Sequence, residues 1–420
     1  MKKYDVIVAG AGLTGFAAAV AAAREGCKVL VFDQGNAFGG AAVNCLVNPF
    51  MPYWTHDPET KEKEYLSAGI FREILNELQA LGALHDEEMS FDEELLKLAL
   101  NRMAIKAGVE ILFHAQLIDA HVENGTVKSI TVAGKAGKIE LTADAFVDAT
   151  GDGNLSVLCG CSYQLGREAD NLCQPMTLCF RLGGVDTDAI NVERLGKEIQ
   201  NLYKQYQSEG KIKNPREDIL TFRTLHKDVQ HFNSTRIVKL NPTDLFDVTR
   251  AELEAREQVF ELVEFLRANC EAYKNCRVLS TAVEIGVRES RMIEGEHILT
   301  GEELVACTVF EDSIALGNYD IDIHNPEGSG TSHYYFPAGQ RYTIPLRSLQ
   351  VKNMHNLLVA GRCLSATHEA QASVRIMPTC CCTGEAAGVA AAVAVQNGTG
   401  TDKVDVPKVQ AILKENGALL

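Results

Sequence analysis

Asp320-Ile321-Asp322-Ile323-His324 alternates strictly between polar and apolar residues, so on a strand Asp320, Asp322 and His324 share one face. A carboxylate and an imidazole two residues apart on one face can act as an acid/base pair, with Asp322 orienting the His324 ring. A solvated strand face is the plainer reading of the same pattern. Arg341, Arg362 and Arg375 offer rigid two-pronged donors suited to a substrate carboxylate or a phosphate. Arg288 and Arg291 flank Glu289, which reads as an internal ion pair. His333, Tyr334 and Tyr335 stand in a glycine-rich stretch, 328–339, that forms either an active-site loop or a surface loop. Cys380 would have a depressed pKa at a helix N-terminus, whereas buried cysteines of the Cys380-Cys381-Cys382 run would behave as small apolar residues. No spacing of His, Cys and carboxylate residues marks a metal site.

These side chains need a scaffold, and the N-terminus supplies its signature. Tyr4 to Ala9 is a β-branched run that reads as a buried parallel strand, and it enters Gly10-Ala11-Gly12-Leu13-Thr14-Gly15 directly. An alanine-rich helix from Phe16 to Glu25, a stop at Gly26, a strand from Lys28 to Phe32 and the acid Asp33 follow. Gly10 permits the tight turn, Gly12 lets the backbone approach a pyrophosphate, and Gly15 lets helix and strand pack closely. Asp33 is placed to accept hydrogen bonds from ribose hydroxyls. The motif alone leaves NAD and FAD open. Gly39-Gly40 after the acid is a first hint of a larger ligand passing close to the main chain.

Further on, Ser90 to Ala107 has helical spacing and Val109 to Phe113 reads as a strand. Leu117–Val122, Val127–Val132 and Lys138–Leu141 form a β-meander with a hairpin signal at Asn124-Gly125. A separate buried strand from Ala145 ends in the turn Asp148-Ala149-Thr150-Gly151-Asp152-Gly153. Leu357 to Ala360 is a last buried strand, and Gly361 permits a close turn. Thr383 to Val395 is a small-residue helix whose N-terminus would stabilise an anion developing on a bound ring.

The chain resembles the FAD-dependent oxidoreductases of the glutathione-reductase-type flavoprotein fold, in particular their bacterial, largely unassigned branch. The resemblance rests on the glycine turn, the Asp148–Gly153 turn and Asn356-Leu-Leu-Val-Ala-Gly-Arg-Cys-Leu-Ser365. Further marks are Gln174-Pro-Met-Thr177, Val287-Arg-Glu-Ser-Arg-Met292, Asp320 to His324, and Ser373 to Cys380 before Thr383-Gly-Glu-Ala-Ala-Gly388. It implies an α/β architecture: a Rossmann-like FAD domain, parallel sheet plus meander, with an inserted α+β cap. The FAD domain would comprise 1–45, 93–161 and 351–400, the cap 46–92 and 162–350, and 401–420 a C-terminal helix. Besides Gly10, Gly12, Gly15 and Asp33, cofactor contacts are expected from Leu13, Thr14, Gln34 and Gly40. The meander would add Leu117, the second turn Ala149, Thr150 and Gly151, and the C-terminal segment Gly361, Arg362 and Met377. Disulfide reductases of this fold carry a Cys-x-x-x-x-Cys pair after the first motif; here Cys45 is followed by Phe50 at the second position, which argues against a dithiol relay.

Composition bounds the rest. Over 420 residues, 46% are hydrophobic and 23% charged, as in ordinary globular proteins. A formal charge of −16 disfavours nucleic acid and anionic lipid as partners. Thirteen scattered cysteines favour reduced thiols and a cytoplasmic location, and the apolar stretches 16–23 and 386–395 are too short to span a bilayer. The resulting expectation is an FAD enzyme passing a hydride between flavin N5 and a small organic substrate, with His324, Asp322 and Arg341 as its catalytic side chains. An unidentified electron donor or acceptor and a homo-oligomer complete the reading. An NAD(P)-dependent dehydrogenase and a non-catalytic flavin electron-transfer subunit are the alternatives.

Overall fold

The computed structural model describes residues 2–85, 87–190 and 195–420. Its central sheet grows around the first strand, Lys2–Ala9, whose β-branched core is buried on both faces. Val29–Phe32 and Gly137–Asp148 flank it in parallel, with Val6 opposite Val29 and Ala9 opposite Asp148. Glu110–Leu112 extends one side in parallel, and Leu357–Val359 joins the C-terminal half of Gly137–Asp148. On the other side Thr126–Gly134 and Gln116–Glu123 form the antiparallel meander. The segments expected as two strands, Lys138–Leu141 and the run from Ala145, are one continuous strand. Thr142-Ala143-Asp144 contains neither Gly nor Pro to break it, so its first half closes the meander and its second half joins the parallel sheet.

Helix Leu13–Arg24 leaves the glycine turn and crosses helix Met377–Asn397 at very short range. A Cβ on Gly384 would lie 2.1 Å from the Thr14 carbonyl oxygen, and one on Gly388 would lie 2.2 Å from that of Ala18. Only side-chain-free positions allow this approach, which explains why both helices are built from Ala and Gly. The second helix starts at Met377, six residues before the expected Thr383. Pro378 lies in its first turn, where proline's missing N–H has no helical partner to lose. By length and composition this 21-residue helix could cross a membrane, contrary to the short apolar run expected, but almost all of it is buried inside the protein.

A second hydrophobic cluster, from Met176 to Ile285, is separate from the first. It lies between helices Lys197–Ser208 and Leu245–Asn269 and a four-stranded antiparallel sheet ordered Thr221–Arg223, Val229–Phe232, Phe180–Gly183, Arg277–Thr281. In sequence this cluster falls between the Asp148 turn and Leu357. Two stretches expected in the cap pack elsewhere. Phe50, Phe71, Ile74 and Leu78 of 46–92, and Leu299, Ile314, Tyr342 and Ile344 of the later stretch, join the main core with Phe16 and Val389. Their apolar faces are covered by the cofactor-side helices, leaving the cap as the middle of the insertion alone. Helix Val406–Glu415 ends the chain and buries Val409 and Leu413 in the same core.

Candidate functional site

Two helix N-termini without side-chain caps, at Gly12 and Ile376, are brought together by the glycine crossing. Each leaves backbone N–H groups available and directs a partial positive charge outward. At the first, Gly10 has φ +96°, and a Cβ there would lie 2.5 Å from the Ala149 carbonyl oxygen; a Cβ on Gly15 would lie 1.9 Å from that of Gly10. Gly12 differs: the nearest heavy atom to its Cβ would be 3.9 Å away. The protein itself therefore requires Gly10 and Gly15, while the space over Gly12 is a cradle that only a bound group would fill. Gly39 N–H donates to the Ala11 carbonyl, laying the Gly39-Gly40 loop on this turn.

Asp33 ends the second strand with its carboxylate on the glycine turn. Its Oδ2 accepts from Ala11 N–H and its Oδ1 from Gly35 N–H, both at 2.6 Å. Gln34 beside it is exposed, and the main chain before half-buried Leu117 is tied to this loop by Ala115 N–H on the Asp33 carbonyl. A cavity of about 450 Å³ opens next to them, lined in part by Gln34, Val43, His114, Arg181 and Glu284.

The Asp148 carboxylate is fully buried and holds the second turn together. It accepts from Thr150 N–H and Oγ1 and from Ser156 N–H and Oγ, so the Thr150 hydroxyl is committed to the turn. Gly151, at φ +79°, lies under the Arg362 guanidinium, which pairs with Asp152 at 2.9 Å and donates to Ser290 Oγ at 3.2 Å. A Cβ on Gly361 would strike Thr14 Oγ1 at 2.4 Å. Thus Thr14, Ala149–Gly151 and Gly361–Arg362 pack around the glycine turn, and Met377 opens the helix that crosses it. Asp152, which ties its own turn to Arg362 and to Ser290, carries no spacing signal of its own.

Asp322 and His324 share a strand, Ile321–His324, paired antiparallel with Thr331–Tyr334 so that Asp322 faces His333. His324 Nε2 lies 3.3 Å from Asp322 Oδ2, and Nδ1 lies 3.0 Å from Arg236 Nη2. A guanidinium only donates, so Nδ1 accepts and the ring proton sits on Nε2 facing Asp322. Burial, and then the Arg288 charge, lower the His324 pKa to about 3, so the ring is neutral. Burial alone would raise Asp322, but the His324 hydrogen bond and the Arg375 charge, 3.5 Å away, outweigh it and keep it ionised. Both ring nitrogens of His324 are therefore engaged. His333, on the exposed side, brings Nδ1 within 3.6 Å of Asp322 Oδ1 and 3.8 Å of Asp320 Oδ2, and its ring stacks on Tyr335.

Arg236 is the residue sequence reading misses here. Fully buried and 88 positions from His324, it also donates to the Gly328 and Gly330 carbonyls and pairs with Glu217, fixing the glycine-rich loop to the Asp322 strand. Arg341 is elsewhere, in an exposed ion pair with Glu64. Glu289 does not pair with its flanking arginines. Completely buried, it accepts from Gln174 N–H at 2.8 Å and from His368 Nδ1 at 2.6 Å. Cys380 is the fourth residue of its helix. Burial pushes its thiol up to about 12, the opposite of an activated thiolate, and Sγ donates to the Arg375 carbonyl at 3.2 Å. All thirteen cysteines are unbridged.

Residues 5–413 match the protein family described as FAD dependent oxidoreductase. A digeranylgeranylglycerophospholipid reductase of Methanocella arvoryzae is 31% identical over 157 residues, a match spanning 36% of this chain and 39% of that protein. Among solved structures, p-nitrophenol 4-monooxygenase PnpA from Pseudomonas putida DLL-E4 aligns with 99% of this chain and 87% of its own, with a TM-score of 0.50 at 11% identity, a likeness of fold. L-proline dehydrogenase from P. horikoshii aligns over 100% of both chains with a TM-score of 0.47 at 13% identity.

Proposed function

Because this chain belongs to the FAD dependent oxidoreductase family, we propose that it exchanges a hydride between FAD and a small organic substrate held between the cofactor cleft and the cap. When bound, FAD supplies the hydride chemistry at its N5 atom; the chain supplies binding, charge and the proton. The Gly12 cradle and its uncapped helix N-terminus fit a pyrophosphate, Asp33 fits the ribose, and the Ile376 N-terminus suits negative charge on the ring. Oxidising an alcohol or amine, or reducing a polarised double bond, moves a proton together with the hydride, so a side chain must handle it.

The observation that carries the proton assignment is the engagement of both His324 nitrogens. A ring so held positions Asp322 better than it shuttles protons, and His333 is then the carrier, with Asp322 and Asp320 orienting it. The expected His324 role passes in this reading to His333, the cross-strand partner of Asp322. Visible absorption of the purified protein should show bound FAD, and anaerobic bleaching by candidate alcohols, amines and acids should identify a reductant. With that substrate, His333→Asn should lower turnover by roughly 10²-fold at unchanged FAD occupancy, the usual scale for a general acid or base. A His333 variant of normal turnover beside a crippled His324→Asn would return the role to His324.

A further inference from the structure

Arg288 has no carboxylate partner among the described residues. Its Nη1 donates to the Pro175 carbonyl at 2.6 Å and to Thr177 Oγ1, and its Nη2 donates to Asn233 Oδ1 at 3.2 Å. All three acceptors are neutral. Around it stand Arg216, Arg375 and Arg236, and burial followed by these three charges brings its pKa down to about 9. The companions have Asp218 at 3.3 Å from Arg216, Glu217 at 3.1 Å from Arg236 and Asp322 at 3.5 Å from Arg375. Four guanidiniums thus meet three carboxylates. His324, against the group, is neutral, and the adjacent Glu289 is turned to His368 and the Gln174 backbone.

One donor of the cluster, Arg375 Nε, is buried without a partner. Buried donors are almost always satisfied, by protein, water or ligand. The four arginines are gathered here from four separate stretches of sequence, and among the described residues Arg288 alone of them has no carboxylate within ion-pair distance. Arg375 also lies two residues before Met377, where the second uncapped helix begins, and Arg375 and Arg362 both bear on Cys380. The cluster therefore adjoins the cofactor cleft on its cap side. Arg362 is paired with Asp152, which leaves Arg288, held only by neutral acceptors, and Arg375, with its Nε unpaired, as the groups that a ligand can still engage.

We propose that Arg288 and Arg375 bind a compact oxyanion carried by the substrate, a carboxylate or a phosphate, and hold that end while the remainder reaches the reacting position. The proposal rests on reading the adjoining cleft as the substrate site. A planar guanidinium matches either anion with two parallel N–H donors, and burial excludes the water that would screen it.

The test uses the purified FAD-loaded protein in equilibrium dialysis against radiolabelled succinate and, separately, inorganic phosphate, with dimethyl succinate as the neutral control. Succinate or phosphate should bind saturably, the neutral diester should not, and the anion that binds more tightly names the group. Arg288→Met and Arg375→Met should each weaken binding tenfold or more, while Arg250→Met, in an exposed pair with Asp247, should not. Arg288→Lys guards against misfolding: it keeps the charge but loses the fork, and should fold with full FAD occupancy yet still bind several-fold more weakly. Dialysis reads the anion without relying on the flavin, so a colourless protein would sink the functional reading alone. Yellow protein that retains neither anion, or variants that bind as tightly as the parent, would overturn this proposal.

Discussion

At the scale of single residues, the glycines separate what the fold needs from what the ligand needs. Gly15 is required by the protein, because a Cβ there overlaps the Gly10 carbonyl; Gly12 is not, since its φ of −61° suits any residue and a Cβ would meet only the Gly40 Cα, at an ordinary contact distance of 3.9 Å. Gly15→Ala should therefore cost stability, read as a lowered urea midpoint. Gly12→Val should fold and melt like the parent apoprotein but lose the flavin absorption. A yellow Gly12→Val protein would remove the cradle from the pyrophosphate site. These roles are legible in the sequence because the motif is local: six residues and one acid, Asp33, define it. The Asp322–His324 pair is legible for the same reason, through strand alternation. Arg236, Arg288 and Glu289 are not, because their partners lie tens of positions away and only the folded chain brings them together.

At the scale of elements, the crossing of Leu13–Arg24 and Met377–Asn397 sets the cofactor cleft, since it fixes where both uncapped N-termini point. Gly388 touches nothing in the cleft, yet a Cβ there would lie 2.2 Å from the Ala18 carbonyl. Gly388→Val should force the helices apart, destabilise the fold by about 1–3 kcal/mol as overpacking does, and weaken FAD retention at a distance. Normal stability together with normal retention would show that the crossing does not govern the cleft. The sequence locates this helix through its Ala and Gly content but places its start six residues late. In space Pro378 lies in the first turn of the helix, and the three cysteines are packed as small apolar residues, as expected of buried ones. Leu141 to Ala145 errs the other way: a strand that changes partners halfway along looks like two.

At the scale of the whole molecule, the first two of three hydrophobic clusters show why the cap boundaries are hard to read from sequence. Phe50, Phe71 and Ile314 are apolar in either assignment, and only packing reveals that they cover the cofactor-side core. Stability against pH is likewise a property of the whole fold, and three buried groups shape it. His231 and His324 are both lowered to about 3, His231 by burial and then the Arg181 charge, so below about 6.5 the unfolded chain takes up protons that the native state refuses. Their contribution is full above that pH and is lost as it falls, by about 2 kcal/mol each between pH 6.5 and 5. Glu385 acts in the opposite sense. Burial on the core helix raises its pKa to about 7, while its Oε2 accepts Ile70 N–H at 2.9 Å and so caps helix Ile70–Ala80. Its protonated form is favoured by folding, so this contribution is present below about 4.5 and disappears as pH rises through 7, about 3 kcal/mol in all. Glu385→Gln keeps an acceptor for Ile70 but cannot ionise. It should be more stable than the parent at pH 8 and nearly equal to it at pH 5, so its urea midpoint should fall more steeply on acidification than the parent's. Parallel curves for the two proteins would show that Glu385 does not titrate in this range.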